Sequence, residues 1–147
     1  MIPGGIEYPF RSVGGPTRPL LFLHIRNAHR PDNALILPAL VDTGADFTVA
    51  PRHFCGILGH DFQRGERRPD VSGIGGSARV FAHDTTFSVL GPNDTPREED
   101  SISGEFVSRM SFVDQRLQYV LLGQKDFLRS FVYLQDAVRQ RFWLKPL

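Results

Sequence analysis

Cysteine is almost missing from this chain. Cys55 stands alone, so no disulfide can form within it, and its fold must rest on a packed core. An excess of one charge is missing too. The 17 lysines and arginines nearly balance 16 aspartates and glutamates, leaving a formal net charge of +1. Such a balance gives no strong field for nucleic acid or an acidic lipid surface. The densest basic cluster, RGERRPD, is broken by acids and a proline and reads as a solvated loop. No apolar run approaches the ~20 residues that a membrane-spanning helix needs. The opening MIPGGIEYPF has neither a basic nor an apolar stretch of the kind that makes a signal peptide, so a soluble cytoplasmic protein is expected. Internal repeats are lacking, and stretches with helical periodicity are few.

Glycine and proline are plentiful at 14 and 11 residues, and 41% of the chain is hydrophobic. In 147 residues this favours one all-β domain with many turns and a buried core. Residues 1–16 read as an N-terminal arm. Arg18–Asn27 and the apolar run Ala34–Val41 read as a hairpin, the second strand buried on both faces. Phe47–Ala50 is a short strand, and Arg52–Leu58 a single helical turn. VSGIGGSARVF has extended residues on both sides of a glycine cluster, which suggests a second hairpin. Val80–Leu90 continues as a strand, and residues 91–104 read as an exposed loop. Phe106–Val113 and Tyr119–Leu122 are further strands. Gln124–Ser130 is the best helix candidate, and Phe131–Gln135 with Arg141–Leu144 forms a closing hairpin.

Asp42-Thr43-Gly44-Ala45 follows the buried strand directly. A carboxylate there must be held by hydrogen bonds, because burying it unpaired is costly. Alone, this tripeptide turn is equally well read as a strand-ending Asx turn. The histidines His24, His29, His53, His60 and His83 show no metal-ligand spacing, so no metal is expected. The glycines near Gly73 lack dinucleotide-loop spacing, and no cofactor motif is present. Asp84 and Asp126 read as a strand-end residue and a helix-start residue.

Three motifs in order change the balance: LVDTGADFTVAP, VSGIGGSARVF, and Val120-Leu121-Leu122-Gly123 followed by Asp126-Phe127-Leu128. Together, from Arg18 to Pro146, they resemble the retropepsin-like aspartic peptidases, and FWLKP resembles the last strand of bacterial members. The resemblance implies a single-domain acid-protease barrel with one short C-terminal helix. It implies that Asp42 is catalytic, that Thr43 bonds across two catalytic loops, and that the Gly44 carbonyl faces substrate. Asp46 matches the second aspartate, which holds substrate backbone. Gly73, Ile74, Gly75 and Gly76 match the tip of a flap. Ala45, Phe47 and Leu121 join the substrate-binding set, and Phe47, Ile74 and Leu121 as pocket walls favour apolar side chains beside the cut.

Two departures stand out. Phe47 replaces a usually polar residue. Gln124 and Lys125 occupy the place of an arginine that pairs with the second aspartate, with Lys125 or Arg129 as stand-ins. The implied chemistry is peptide hydrolysis by water held between two aspartates sharing a proton. One D-T-G turn per chain then requires a homodimer. Polypeptide is the implied substrate. The alternative is a dimerisation or binding module that keeps the fold without activity.

Overall fold

The computed structural model describes residues 1–73 and 76–147. The first hairpin pairs β2 (Leu20–Asn27) with β3 (Arg30–Val41) through the two-residue turn Ala28-His29. The apolar run of β3 alternates instead of being buried on both faces. Leu37, Ala39 and Val41 enter the core, while Ile36 remains 42% exposed. One face of β3 lines a barrel interior and the other is only partly covered, which is the ordinary period-two outcome.

β3 runs parallel to β8 (Val120–Leu122), with Val41 beside Leu122. β8 meets β4 (Val49–Pro51) at Leu121 and Val49, and β4 runs parallel to β7 (Ser101–Val113). β7 pairs antiparallel with β6 (Gly76–Leu90), whose first half also pairs with β5 (Glu66–Gly73). The second half of β6 returns to β2, Ile25 opposite Phe87, and this pairing closes the sheet into a barrel. The β5–β6 hairpin projects from it as an appendage. The expected glycine hairpin is therefore present through its stem, with Gly73 paired to Gly76, while Ile74 and Gly75 lie outside the described residues.

A second sheet joins both ends of the chain, in the order β1 (Ile6–Pro9), β10 (Arg141–Pro146), β9 (Phe131–Asp136). Part of the N-terminal segment is thus a paired strand. Tyr8 stacks on Phe142 at 4.9 Å and donates its hydroxyl to the Leu90 carbonyl at 2.8 Å, which ties this sheet to the barrel. Burial raises the Tyr8 phenol far above its ordinary pKa, so it stays a neutral donor. Arg11 reaches the carbonyls of Pro92 and Asn93 and the Asp94 carboxylate, anchoring the start of the loop read over residues 91–104. That loop ends early, because β7 begins at Ser101.

The core is dominated by phenylalanine: Phe87, Phe112, Phe127 and Phe142 are fully buried. Each such side chain contributes roughly 1.5–3 kcal/mol by leaving water. The single α-helix among the described residues is α1 (Arg52–Ile57), matching the expected helical turn. The C-terminal helix expected over Gln124–Ser130 is not an α-helix; only Leu128–Ser130 coils, as a 3-10 turn. The backbone N–H groups of Gln124 and Lys125 donate to Ala45 and Asp46 across the fold, and those of Leu128 and Arg129 donate five residues back, to Gly123 and Gln124, so the segment forms wide turns. No helix among the described residues is long and apolar enough to cross a membrane.

Candidate active site

β3 delivers Asp42 to the end of the parallel β3–β8 pair, where its N–H donates to the Leu122 carbonyl at 3.1 Å. Gly44 N–H donates to Asp42 Oδ1 at 3.0 Å and Ala45 N–H to the Asp42 carbonyl at 3.2 Å. The local geometry is thus an Asx turn, the bland reading of this tripeptide, and it also fixes the carboxylate. Asp42 is half-buried, whereas Thr43 and Gly44 at the apex are exposed.

Behind this loop, the segment after β8 acts as a brace. Gln124 Nε2 donates to the Thr43 carbonyl at 2.7 Å. The N–H groups of Gln124 and Lys125 donate to Ala45 and Asp46 carbonyls at 2.9 and 2.8 Å. Gly123 makes the contact possible. A Cβ at that position would lie 2.3 Å from the Phe47 carbonyl carbon, so any side chain would push the two segments apart.

Thr48, fully buried, is the centre of the brace. Its hydroxyl accepts from Gly123 N–H at 3.1 Å and donates to Asp126 Oδ1 at 2.6 Å. Its N–H lies 2.9 and 2.8 Å from the two Asp126 oxygens, and its carbonyl accepts from Ser111 N–H at 3.0 Å. Burial pushes the Asp126 carboxyl above the usual range, against the lowering effect of the Thr48 hydrogen bonds and of nearby Arg68. Asp126 is therefore not a helix-start residue but the support of the loop that carries Asp42. An acid three residues after Gly123 was visible in the sequence; its partner, 78 positions away, was not.

The other expected residues are distributed around this loop. Leu121, half-buried, faces Leu40 and Val49 in register. Val49 and Leu117 pack on a small buried cluster of Ala78, Val80 and Val113 beside the β5–β6 hairpin. Sequence reading passed over these residues, although the alternating apolar positions of β6 were a signal for them. Asp46 is exposed, and among the described residues neither Lys125 nor Arg129 forms an ion pair with it. Lys125 places its ammonium 5.4 Å from the Phe47 ring centre instead. Asp84 lies within β6 opposite Arg109, not at a strand end. Among the described residues, no group of three or more His, Cys, Asp or Glu side chains is placed to hold a metal ion. Cys55 is buried, and burial raises its thiol to about 11, so it stays protonated and unreactive.

No protein-family model matches the chain, and no curated protein matches it. Solved structures do. One is a retropepsin-like aspartic protease from Rickettsia conorii, with a TM-score of 0.59 and 17% identity, covering 95% of this chain and 98% of that one. Another is EIAV protease complexed with the inhibitor HBY-793, with a TM-score of 0.46 and 22% identity, covering 77% of this chain and 88% of that one. The first match extends over nearly the whole of both molecules, and with the closed barrel and its appended hairpin it shows that this chain has the retropepsin-like fold.

Proposed function

We propose that the chain is an aspartic endopeptidase whose catalytic pair is Asp42 and the same residue of a second copy. The observation that carries this reading is the Asp42 turn, with its carboxylate fixed by Gly44 N–H at 3.0 Å and its apex exposed. The chemistry needs a second carboxylate within proton-sharing distance of the first. Asp126 cannot supply it, because both its oxygens are engaged by Thr48. Asp46 projects outward from the same loop. A two-fold axis past Thr43 and Gly44 supplies the partner by apposing two identical apices.

In this arrangement the pair holds one proton and a water. The unprotonated member takes a proton from the water as it attacks the peptide carbonyl, and the protonated member donates to the carbonyl oxygen. The member that took the water's proton then passes it to the nitrogen while its partner takes back a hydroxyl proton, so the tetrahedral species collapses to a carboxylic acid and an amine. Thr43 and Gly44 form the contact between the two turns and the floor under the substrate. Ala45, Asp46, Phe47 and Leu121 line the path on either side. The β5–β6 hairpin, including Gly73 and Gly76 at the described end of its stem, covers the path from above, with Ile74 and Gly75 assigned to its tip.

The test is hydrolysis of an unstructured polypeptide by homogeneous protein. Asp42→Asn preserves shape and removes the base, so activity should fall by at least about a thousandfold while fold and pairing persist. Wild-type protein that pairs yet cleaves nothing would support the inactive-module reading.

A further inference from the structure

Phe47 is not a bare apolar wall. The Arg68 guanidinium carbon lies 4.3 Å from its ring centre and the Lys125 ammonium 5.4 Å from it. Arg68 comes from β5, the outer strand of the flap hairpin, just before a break in register between Arg68 and Val71. Lys125 comes from the brace after β8. The ring therefore joins three separate pieces of chain: β5, the loop after Asp42 and the brace after β8.

These cations differ from their neighbours. Arg64 pairs with Asp61, Arg67 with Asp70, and Arg52 and Arg79 both with Asp114. Among the described residues, neither Arg68 nor Lys125 forms an ion pair, and Arg68 Nε is shielded from water without a hydrogen-bond acceptor. Asp126 is near enough for its charge to be felt by Arg68, yet both its oxygens are held by Thr48. Two cations beside one ring, without an acidic partner among the described residues, leave positive charge that a carboxylate satisfies well.

We propose that Arg68 and Lys125, set around Phe47, form a subsite for an acidic side chain of the polypeptide substrate. The proposal rests on the peptidase reading above and refines it, replacing an apolar preference at Phe47 with an anionic one. Phe47 lies five positions beyond Asp42. An extended substrate advances about 3.3 Å per residue, so moving an acid stepwise along a peptide carries it past the subsite. In a two-fold dimer the subsite occurs once on each side of that bond.

The test uses paired peptides around one bond that the wild type cleaves. They carry Glu or Gln at each position in turn, on either side. At one or more positions the Glu peptide should have a kcat/KM about tenfold higher. That ratio should shrink in high salt and collapse toward unity in Arg68→Gln/Lys125→Gln. Lys125 is exposed, so Lys125→Gln alone provides a variant whose folding does not depend on the lost side chain. A ratio near unity in wild type, or one that survives both substitutions, overturns the proposal. Binding of the same peptides to Asp42→Asn, followed by fluorescence anisotropy, separates the two readings. Selective binding of Glu peptides without any wild-type cleavage would overturn the peptidase reading and keep the subsite. Cleavage without selectivity would do the reverse, and neither cleavage nor selective binding would remove both.

Discussion

At the scale of single residues, the Asp42 turn rests on a buried hydrogen-bond set. Thr48 is the hinge of it, accepting from Gly123 and donating to Asp126. Thr48→Val keeps the volume and deletes both bonds, leaving the buried Gly123 N–H without a partner. A loss of roughly 1–3 kcal/mol in urea unfolding is expected. If the group acts as one unit, Thr48→Val and Asp126→Asn should be non-additive in a double-mutant cycle. Simple additivity would show that the two side chains contribute independently. The turn at Asp42 was legible in sequence because its signal is local: a strand end, a glycine, a turn. Asp126 and Arg68 were not, since each acquires its meaning from a residue far away in the chain.

His60 gives the molecule a dependence on acid. Its ring lies 4.5 Å from that of His83, and its Nε2 is buried without a hydrogen-bond partner among the described residues. Burial, then the charges of His83 and His29, push its pKa down to about 4 from 6.5; Asp84 opposes this and Arg30 adds to it. Arg109, Glu66 and Arg64 line the same depression. A depressed histidine is neutral in the fold and binds a proton more readily when unfolded. Stability is therefore full above the unfolded value and declines as pH falls from about 6.5 toward 4. A carboxylate pair sharing a proton should work best at roughly pH 4–6. The acid limb of the rate profile should then contain loss of fold as well as loss of the base. His60→Phe should narrow the fall in Tm between neutral and acidic pH. An unchanged fall in that variant, measured by calorimetry, would place the acid sensitivity elsewhere.

At the scale of elements, the hairpins and short strands were readable because alternation and turn residues are local signals. The segment Gln124–Ser130 was not, because Asp126 in its middle is held by Thr48, far away in sequence, and the turns around it widen. Leu128 and Arg129 then donate five residues back, to Gly123 and Gln124. Helical propensity gave way to a tertiary contact. The alternation of β3 between core and partial exposure likewise depends on which strands flank it. In the β5–β6 hairpin, Gly76 has a φ of 99°, which a β-branched residue adopts only under strain. Gly76→Val should leave the Ala78–Val80 packing at the stem intact while misplacing the end of the hairpin. Turnover should fall by about a hundredfold, the usual scale for misplacing a group over substrate by an ångström. A drop in Tm matching the drop in activity would identify an ordinary structural turn instead.

At the scale of the whole molecule, barrel closure by β2 and β6 joins residues some sixty positions apart, and local pattern does not reveal such a pairing. Under the paired-aspartate proposal, closure is what leaves the single chain a half-site. It satisfies the strands, fixes the Asp42 turn at one end, and leaves Thr43 and Gly44 open to a second copy. If each copy gives one aspartate, activity is a property of pairs, and dilution below the dimer dissociation constant should abolish it cooperatively. Mixing is the sharper measurement. Equal amounts of wild type and Asp42→Ala, allowed to exchange fully, should leave roughly a quarter of the dimers with two intact aspartates. Activity per wild-type chain should then be about half, because half of the wild-type chains sit opposite an alanine. Sedimentation of the variant must first show normal pairing, since a variant that does not pair would leave wild-type dimers undiluted. With pairing and exchange established, undiminished activity per wild-type chain would mean that one chain holds the complete catalytic group, and the paired-aspartate mechanism would be lost.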